Sequence, residues 1–143
     1  MNTTSAAAAG AVVFVWLGMV LAISFMEAPL KFRAPGVTVR IGLGIGRLVF
    51  RALNLTEVVL AAAVVVAVAV GGPPAAVVAL TAVTAGLLVV QLGVVRPRLN
   101  RRSDRVLAGE DLPRSRAHWY YVALEAAKVA ALIALGITLL AVR

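Results

Sequence analysis

The sequence predicts an all-α membrane protein with four transmembrane helices in a bundle, and three observations carry that expectation. Four apolar runs of about 20 residues match the thickness of a bilayer's hydrocarbon core. Hydrophobic residues make up 62% of the chain and mean hydropathy is +1.01, which leaves too little polar surface for a water-facing globule. Basic residues gather in two segments between the runs. The 143 residues allow a single domain, 1–143.

The first span is predicted over residues 7–26, with a proline, Pro29, to stop it. The residues before it carry no Lys or Arg, so this run reads as a span rather than a cleaved leader, which needs a basic start. The second span covers 48–70 and breaks at Gly71-Gly72-Pro73-Pro74, because glycine is flexible and proline cannot continue a helix. The third covers 75–95 and stops at Arg96-Pro97; the fourth covers 118–142. Segments 27–47 and 96–117 are then loops.

Charge orients the bundle. Lys31, Arg33, Arg40, Arg47 and Arg51 belong to the first loop and the foot of span two, and Arg96, Arg98, Arg101, Arg102, Arg105, Arg114 and Arg116 to the later loop. These 12 residues share one side, against Arg143 alone on the other. The positive-inside rule places both basic loops in the cytoplasm and both termini outside, as in a bacterial inner-membrane protein. The net charge of +8 is accounted for by topology and contact with anionic lipids. Nucleic acid is not expected as a partner, because no aromatic or motif support accompanies the charge. With no Cys and one His, thiolate metal sites, multi-His zinc and disulfides are excluded within the chain. Ser24, Ser103 and Ser115 lack a His–carboxylate partnership, which argues against a hydrolase.

An internal repeat is visible at an offset of 68: Gly18 meets Gly86, Pro29 meets Pro97, Arg33 meets Arg101 and Glu57 meets Glu125, without a gap. The halves would be parallel two-helix copies about an axis along the membrane normal.

Polar residues inside the spans carry the functional expectation, since a charge in hydrocarbon costs several kcal/mol, about 2.5–3.5 on insertion scales. Glu27 closes span one, Asn54 and Glu57 lie in span two, Gln91 in span three, and Glu125 and Lys128 in span four. Arg40, Arg47, Arg51 and Asn54 are spaced 7, 4 and 3 and form a helical stripe that Glu57 continues as it drifts round the helix. His118, Tyr121, Glu125 and Lys128 are spaced 3, 4 and 3, a second stripe. The candidate site is Arg47, Arg51, Asn54, Glu57, His118, Tyr121, Glu125 and Lys128, a polar pocket opening to the cytoplasm, with Arg51 or Lys128 neutralising Glu57. A hydrogen-bonded clasp that only fixes packing is the other reading, and both stay open. Trp119 and Tyr120 suit an interfacial aromatic belt. Gly42, Gly44, Gly46 and the Ala runs would let helices approach closely.

Two resemblances attach to these residues. Arg47 to Glu57, with the pattern Arg51-Ala52-x-Asn54-x-x-Glu57, resembles the second-span signature of the membrane-associated eicosanoid and glutathione metabolism family. That resemblance implies a four-span oligomer in which Arg51, Asn54 and Glu57 hold glutathione, with Arg47 nearby. Over its whole length the chain is similar to uncharacterised four-span proteins: a Pro after spans one and three, Gly46 with Val49-Phe50 at the start of span two, His118 at the head of span four, and the first loop Glu27 to Gly36. That likeness implies a fold and no activity. The leading expectation is a non-enzymatic membrane protein, an accessory or small-ligand-binding component with no known cofactor. A glutathione-dependent transferase and a small oligomeric proton- or cation-coupled transporter are the alternatives. A homo-oligomer or larger membrane complex is open as a partner.

Overall fold

A computed structural model describes residues 1–112 and 116–142. Arg114, Ser115 and Arg143 of the sequence reading lie outside the described residues. Four helices are long and apolar enough to cross a membrane: α1 (Thr3–Arg33), α2 (Val39–Val70), α3 (Ala75–Leu107) and α4 (Arg116–Ala141). There is no strand among the described residues. The chain is therefore all-helical, with the composition of an integral membrane protein.

Each start has a local cause. The Asn2 side chain accepts from the Ser5 amide at 2.8 Å, and the Thr38 hydroxyl accepts from the Ile41 amide at 3.1 Å, each capping an orphan donor of the first turn. Helix α2 ends at Gly71, after which Gly72 takes φ +69, a conformation glycine adopts without strain, and Pro73-Pro74 leads into α3. Gly71 also lets α1 come close, because a Cβ there would meet the Ser5 Cβ at 2.8 Å. The Asn2 amide donates to the Gly71 carbonyl at 2.9 Å, so the start of α1 and the end of α2 share one end of the bundle.

Helices α1 and α3 run past the prolines expected to stop them. Just before each proline the helix loosens into a π turn, Leu21–Glu27 in α1 and Gln91–Val95 in α3. In the first, the Ala28 amide donates to the Ile23 carbonyl; in the second, the Arg96 amide donates to the Gln91 carbonyl. The wider turn removes the clash between a proline ring and the carbonyl four residues back, so the helix absorbs the proline instead of ending. As a result Arg96–Leu107, expected to be loop, is helical and carries its arginines on a rod. The 68-residue offset superimposes the two π hydrogen bonds as well as the two prolines.

Helix α1 packs along α2 and α4, and α3 packs along α4. Ala9, Val13, Trp16 and Val20 of α1 meet Val64 and Val68 of α2, Val77 and Leu88 of α3, and Leu132, Leu135 and Leu139 of α4 in one core. Apolar side chains also cover the outside, among them Leu48, Leu55, Val66 and Leu140, a distribution that suits hydrocarbon and not water. Gly136 accommodates Phe14. Gly42 and Gly46 accommodate Phe32 and Lys31, while nothing lies near Gly44.

Candidate functional site: a buried charge triad beneath a cationic cavity

The inward seam of α2 consists of Gly42, Gly46, Leu53, Glu57, Val64 and Val68, and that of α4 of Tyr121, Glu125, Lys128, Leu132, Leu135 and Leu139. The α2 seam alternates four- and seven-residue steps and the α4 seam four- and three-residue steps, each the spacing of a packed helical face. Two acids and one base therefore point into the bundle: Lys128 is 0% exposed, Glu57 1% and Glu125 1%.

Lys128 holds this group together. Its Nζ forms a very close ion pair with Glu57 Oε1, lies 2.6 Å from Glu125 Oε1, and donates to Gln91 Oε1 at 2.8 Å. Three oxygens thus surround an ammonium that carries three donors. Trp16 Nε1 donates to Glu57 Oε1 at 2.9 Å, and Ser24 Oγ donates to Glu125 Oε2 at 3.1 Å. All four helices contribute. Trp16, Glu57 and Lys128 each sit thirteen residues in from Thr3, Val70 and Ala141, about 20 Å from that end of the bundle at 1.5 Å per residue. In a core of about 30 Å the triad lies toward the arginine-rich end.

Above the triad, toward that end, a cavity of about 780 Å³ opens between the helices. Glu125 and Ser24 form its floor and His118 is near its mouth, with Lys31, Arg47, Arg96 and Arg102 among its lining residues. From Glu125 to His118 is two turns of α4, a depth of about 10 Å. Arg96 stands at mid-depth. Its guanidinium is 4.3 Å from the Tyr121 ring centroid and 4.7 Å from that of Phe50, and these two rings meet edge to face at 5.9 Å. Arg96 Nε and Nη2 are shielded and have no acceptor among the described residues. Lys31 Nζ lies 5.6 Å from the Phe50 centroid and 3.7 Å from Glu27 Oε2. The wall formed by α3 is fastened to α2, since Arg47 pairs closely with Asp104 and Arg40 Nη2 donates to the Leu107 carbonyl at 2.7 Å.

The structure brings Glu57, Glu125 and Lys128 into direct contact and places Tyr121 between them and the cavity mouth. Arg47 and His118 line the cavity without reaching the triad, and His118 stacks edge-on to Trp119 at 5.8 Å. Arg51 is exposed and makes no ion pair among the described residues. It lines a smaller pocket of about 370 Å³ with Asn54, whose Oδ1 is buried without a partner. The expected Arg51–Glu57 pair is replaced by Lys128–Glu57, because six residues carry a side chain about 120° round a helix. The Arg40–Arg47–Arg51–Asn54 stripe flanks the inward seam instead of lying on it.

Sequence reasoning missed Trp16, Ser24, Phe50 and Arg96 as site residues, and left Gln91 outside the candidate set. Ser24 and Gln91 had a usable signal: each is a polar residue in an apolar span, five and six residues ahead of a proline, and each lies in a π turn. No protein-family model, curated protein or solved structure matches the chain. Neither sequence resemblance gains support there.

Proposed function

We propose that this chain is a non-enzymatic integral membrane protein that holds a small ligand in the cavity at its arginine-rich end, with that end in the cytoplasm. The cavity itself carries the reading. Its volume lies in the range of small-molecule sites, its lining mixes apolar walls with a few fixed charges, and side chains from all four helices form it. The triad beneath is its rigid floor. Anionic lipids would meet the arginine rim at the same membrane face.

The test is native mass spectrometry of the protein released from native membranes, comparing wild type with Val122→Trp, which fills the cavity from α4. A small molecule carried by wild type and missing from a folded Val122→Trp supports the reading. Identical spectra overturn it. Orientation is tested separately in this Cys-free chain with Thr3→Cys and Ser103→Cys. An impermeant thiol reagent should reach position 3 in intact cells and leave position 103 unlabelled; the reverse pattern overturns the topology.

The 68-residue repeat belongs to this reading. The paired π hydrogen bonds, paired prolines and paired glutamates support two copies of one helical hairpin. The copies differ where the triad is built: Lys128 corresponds to Leu60, and Trp16 to Thr84.

A second reading, a proton- or cation-coupled transporter assembled as an oligomer, is favoured by one observation: two carboxylates face a single ammonium, so the group lacks one positive charge for neutrality. Proton flux in proteoliposomes that Glu125→Gln abolishes would support it. A glutathione site on Arg51, Asn54 and Glu57 is disfavoured, because Glu57 is sealed against Lys128 and Trp16 while Arg51 faces outward.

A further inference from the structure

The geometry around Arg96 points to a ligand class: we propose that the cavity takes an amphiphile with a net-anionic phosphate head, and that Arg96 is the principal ligand of that head. The proposal rests on the cavity being a binding site, as read above.

Arg96 is a cation at the cavity with unused donors. The Phe50 and Tyr121 rings fix its guanidinium from two directions and shield it. Ring faces attract a cation, yet they offer no oxygen to its N–H donors. Nε and Nη2 therefore stay without an acceptor among the described residues. Leaving shielded donors of a cation unpaired is costly, and an anion with several acceptor oxygens removes that cost. A guanidinium fork accepts phosphate in a bidentate arrangement, which matches a donor pair held rigid by stacking.

The other charges agree with that assignment. Lys31 Nζ also lies near Phe50, 5.6 Å from the ring centroid, and its own acid, Glu27, is at 3.7 Å, too far for a direct hydrogen bond. Glu125, the acid on the cavity floor, is already engaged by Lys128 and Ser24 and turned toward them. The head would thus meet two cations before it met a carboxylate.

The walls argue for a tail. The α1 side of the cavity is mostly apolar, with Phe25, Ala28, Pro29 and Phe32 beside Lys31, while the α3 side is mostly polar, with Arg96, Asn100 and Ser103 beside Leu99. An amphiphile lying across the cavity satisfies both walls; a bare phosphate satisfies one. A membrane phospholipid and free phosphate share this head chemistry, and the test separates them.

The protein would be placed in phosphatidylcholine nanodiscs, with phosphatidate mixed into the lipid in one arm and inorganic phosphate added to the buffer in the other. Molecules retained per chain would be counted by native mass spectrometry after gentle release. Wild type should retain one phosphatidate in preference to phosphatidylcholine by about tenfold or more, equivalent to about 1.4 kcal/mol. Arg96→Gln should lose that preference. Arg96→Lys, which keeps the charge and loses the fork, should weaken it several-fold and guards against a Gln variant that does not fold. Retention of inorganic phosphate with no preference for phosphatidate overturns the amphiphile. Equal preference in wild type and both Arg96 variants, with loss in Val122→Trp, overturns the phosphate site but keeps the cavity reading. Equal preference in every variant, Val122→Trp included, overturns both.

Discussion

Two cations stand on adjacent levels of this bundle, Lys128 buried and Arg96 half-buried with two shielded nitrogens, and their surroundings differ in kind. Lys128 sits among three oxygens from three helices, so its charge is answered by the protein. Arg96, further toward the arginine-rich end, sits between two aromatic rings, and two of its nitrogens find no acceptor among the described residues. The first arrangement links side chains of all four helices around one ammonium. The second is held in position but left open toward a cavity. The difference separates a residue that serves the fold from one available for binding, and burial and partners agree on it.

The comparison can be broken most directly at Lys128. Lys128→Met leaves Glu57 and Glu125 facing each other without a base, and removing one partner of a buried ion pair typically costs about 3–5 kcal/mol. Melting followed by circular dichroism in detergent should fall steeply. The triple change Glu57→Gln, Glu125→Gln, Lys128→Met should recover much of the loss, because no uncompensated charge remains. A single Lys128→Met with wild-type stability would show that the triad does not hold the bundle.

Glu57→Gln should have the next largest effect. It weakens the contacts to both Lys128 and Trp16, and hydrogen bonds to charged groups contribute about 1.5–3 kcal/mol. In a Trp119→Phe background the emission of Trp16 would report the change at its indole nitrogen. An unchanged spectrum and melting point would remove Trp16 from the cluster.

Gly42→Ala sharpens the contrast from the cavity side. Its Cβ would overlap the Phe32 ring and push the end of α1 outward. Overpacking of this kind costs about 1–3 kcal/mol when neighbours cannot move. Because Phe32 is half-exposed and can give way, the lower end of that range is expected, together with a changed cavity width measured by the ligand it retains. Gly44→Ala, with nothing within 4 Å, is the matched control.

Arg96→Met should have the smallest effect on stability. It removes a charge with two nitrogens that have no acceptor among the described residues and leaves an apolar chain between two rings, so the change should stay within about 1 kcal/mol of wild type or be stabilising. A loss as large as that of Lys128→Met would make Arg96 a structural residue and erase the distinction between the two levels.

Much of the architecture was legible before any coordinates. Hydropathy located four helices, and the spacing of Tyr121, Glu125 and Lys128 placed them on one face because α4 is regular over that stretch. Pro29 and Pro97 were located correctly but misread as stops. A proline's effect depends on whether the turn before it can widen, and this is a property of the packed helix, not of the dipeptide.

What the sequence determined by itself was therefore the set of local quantities: span number, basic asymmetry, and which residues recur at helical spacing. Only the tertiary structure decided partners. On α2 the Arg51 and Glu57 directions differ by about 120°, so neighbours in sequence separate, one outward and one inward. Lys128 is 71 residues from Glu57 and becomes its counter-ion. Arg96 comes between Phe50 and Tyr121 through the packing of three helices. The physical reason is range. Hydropathy and helical period act over a turn or two of chain, whereas charge pairing and ring stacking are set by the distance between helices, which no local pattern encodes.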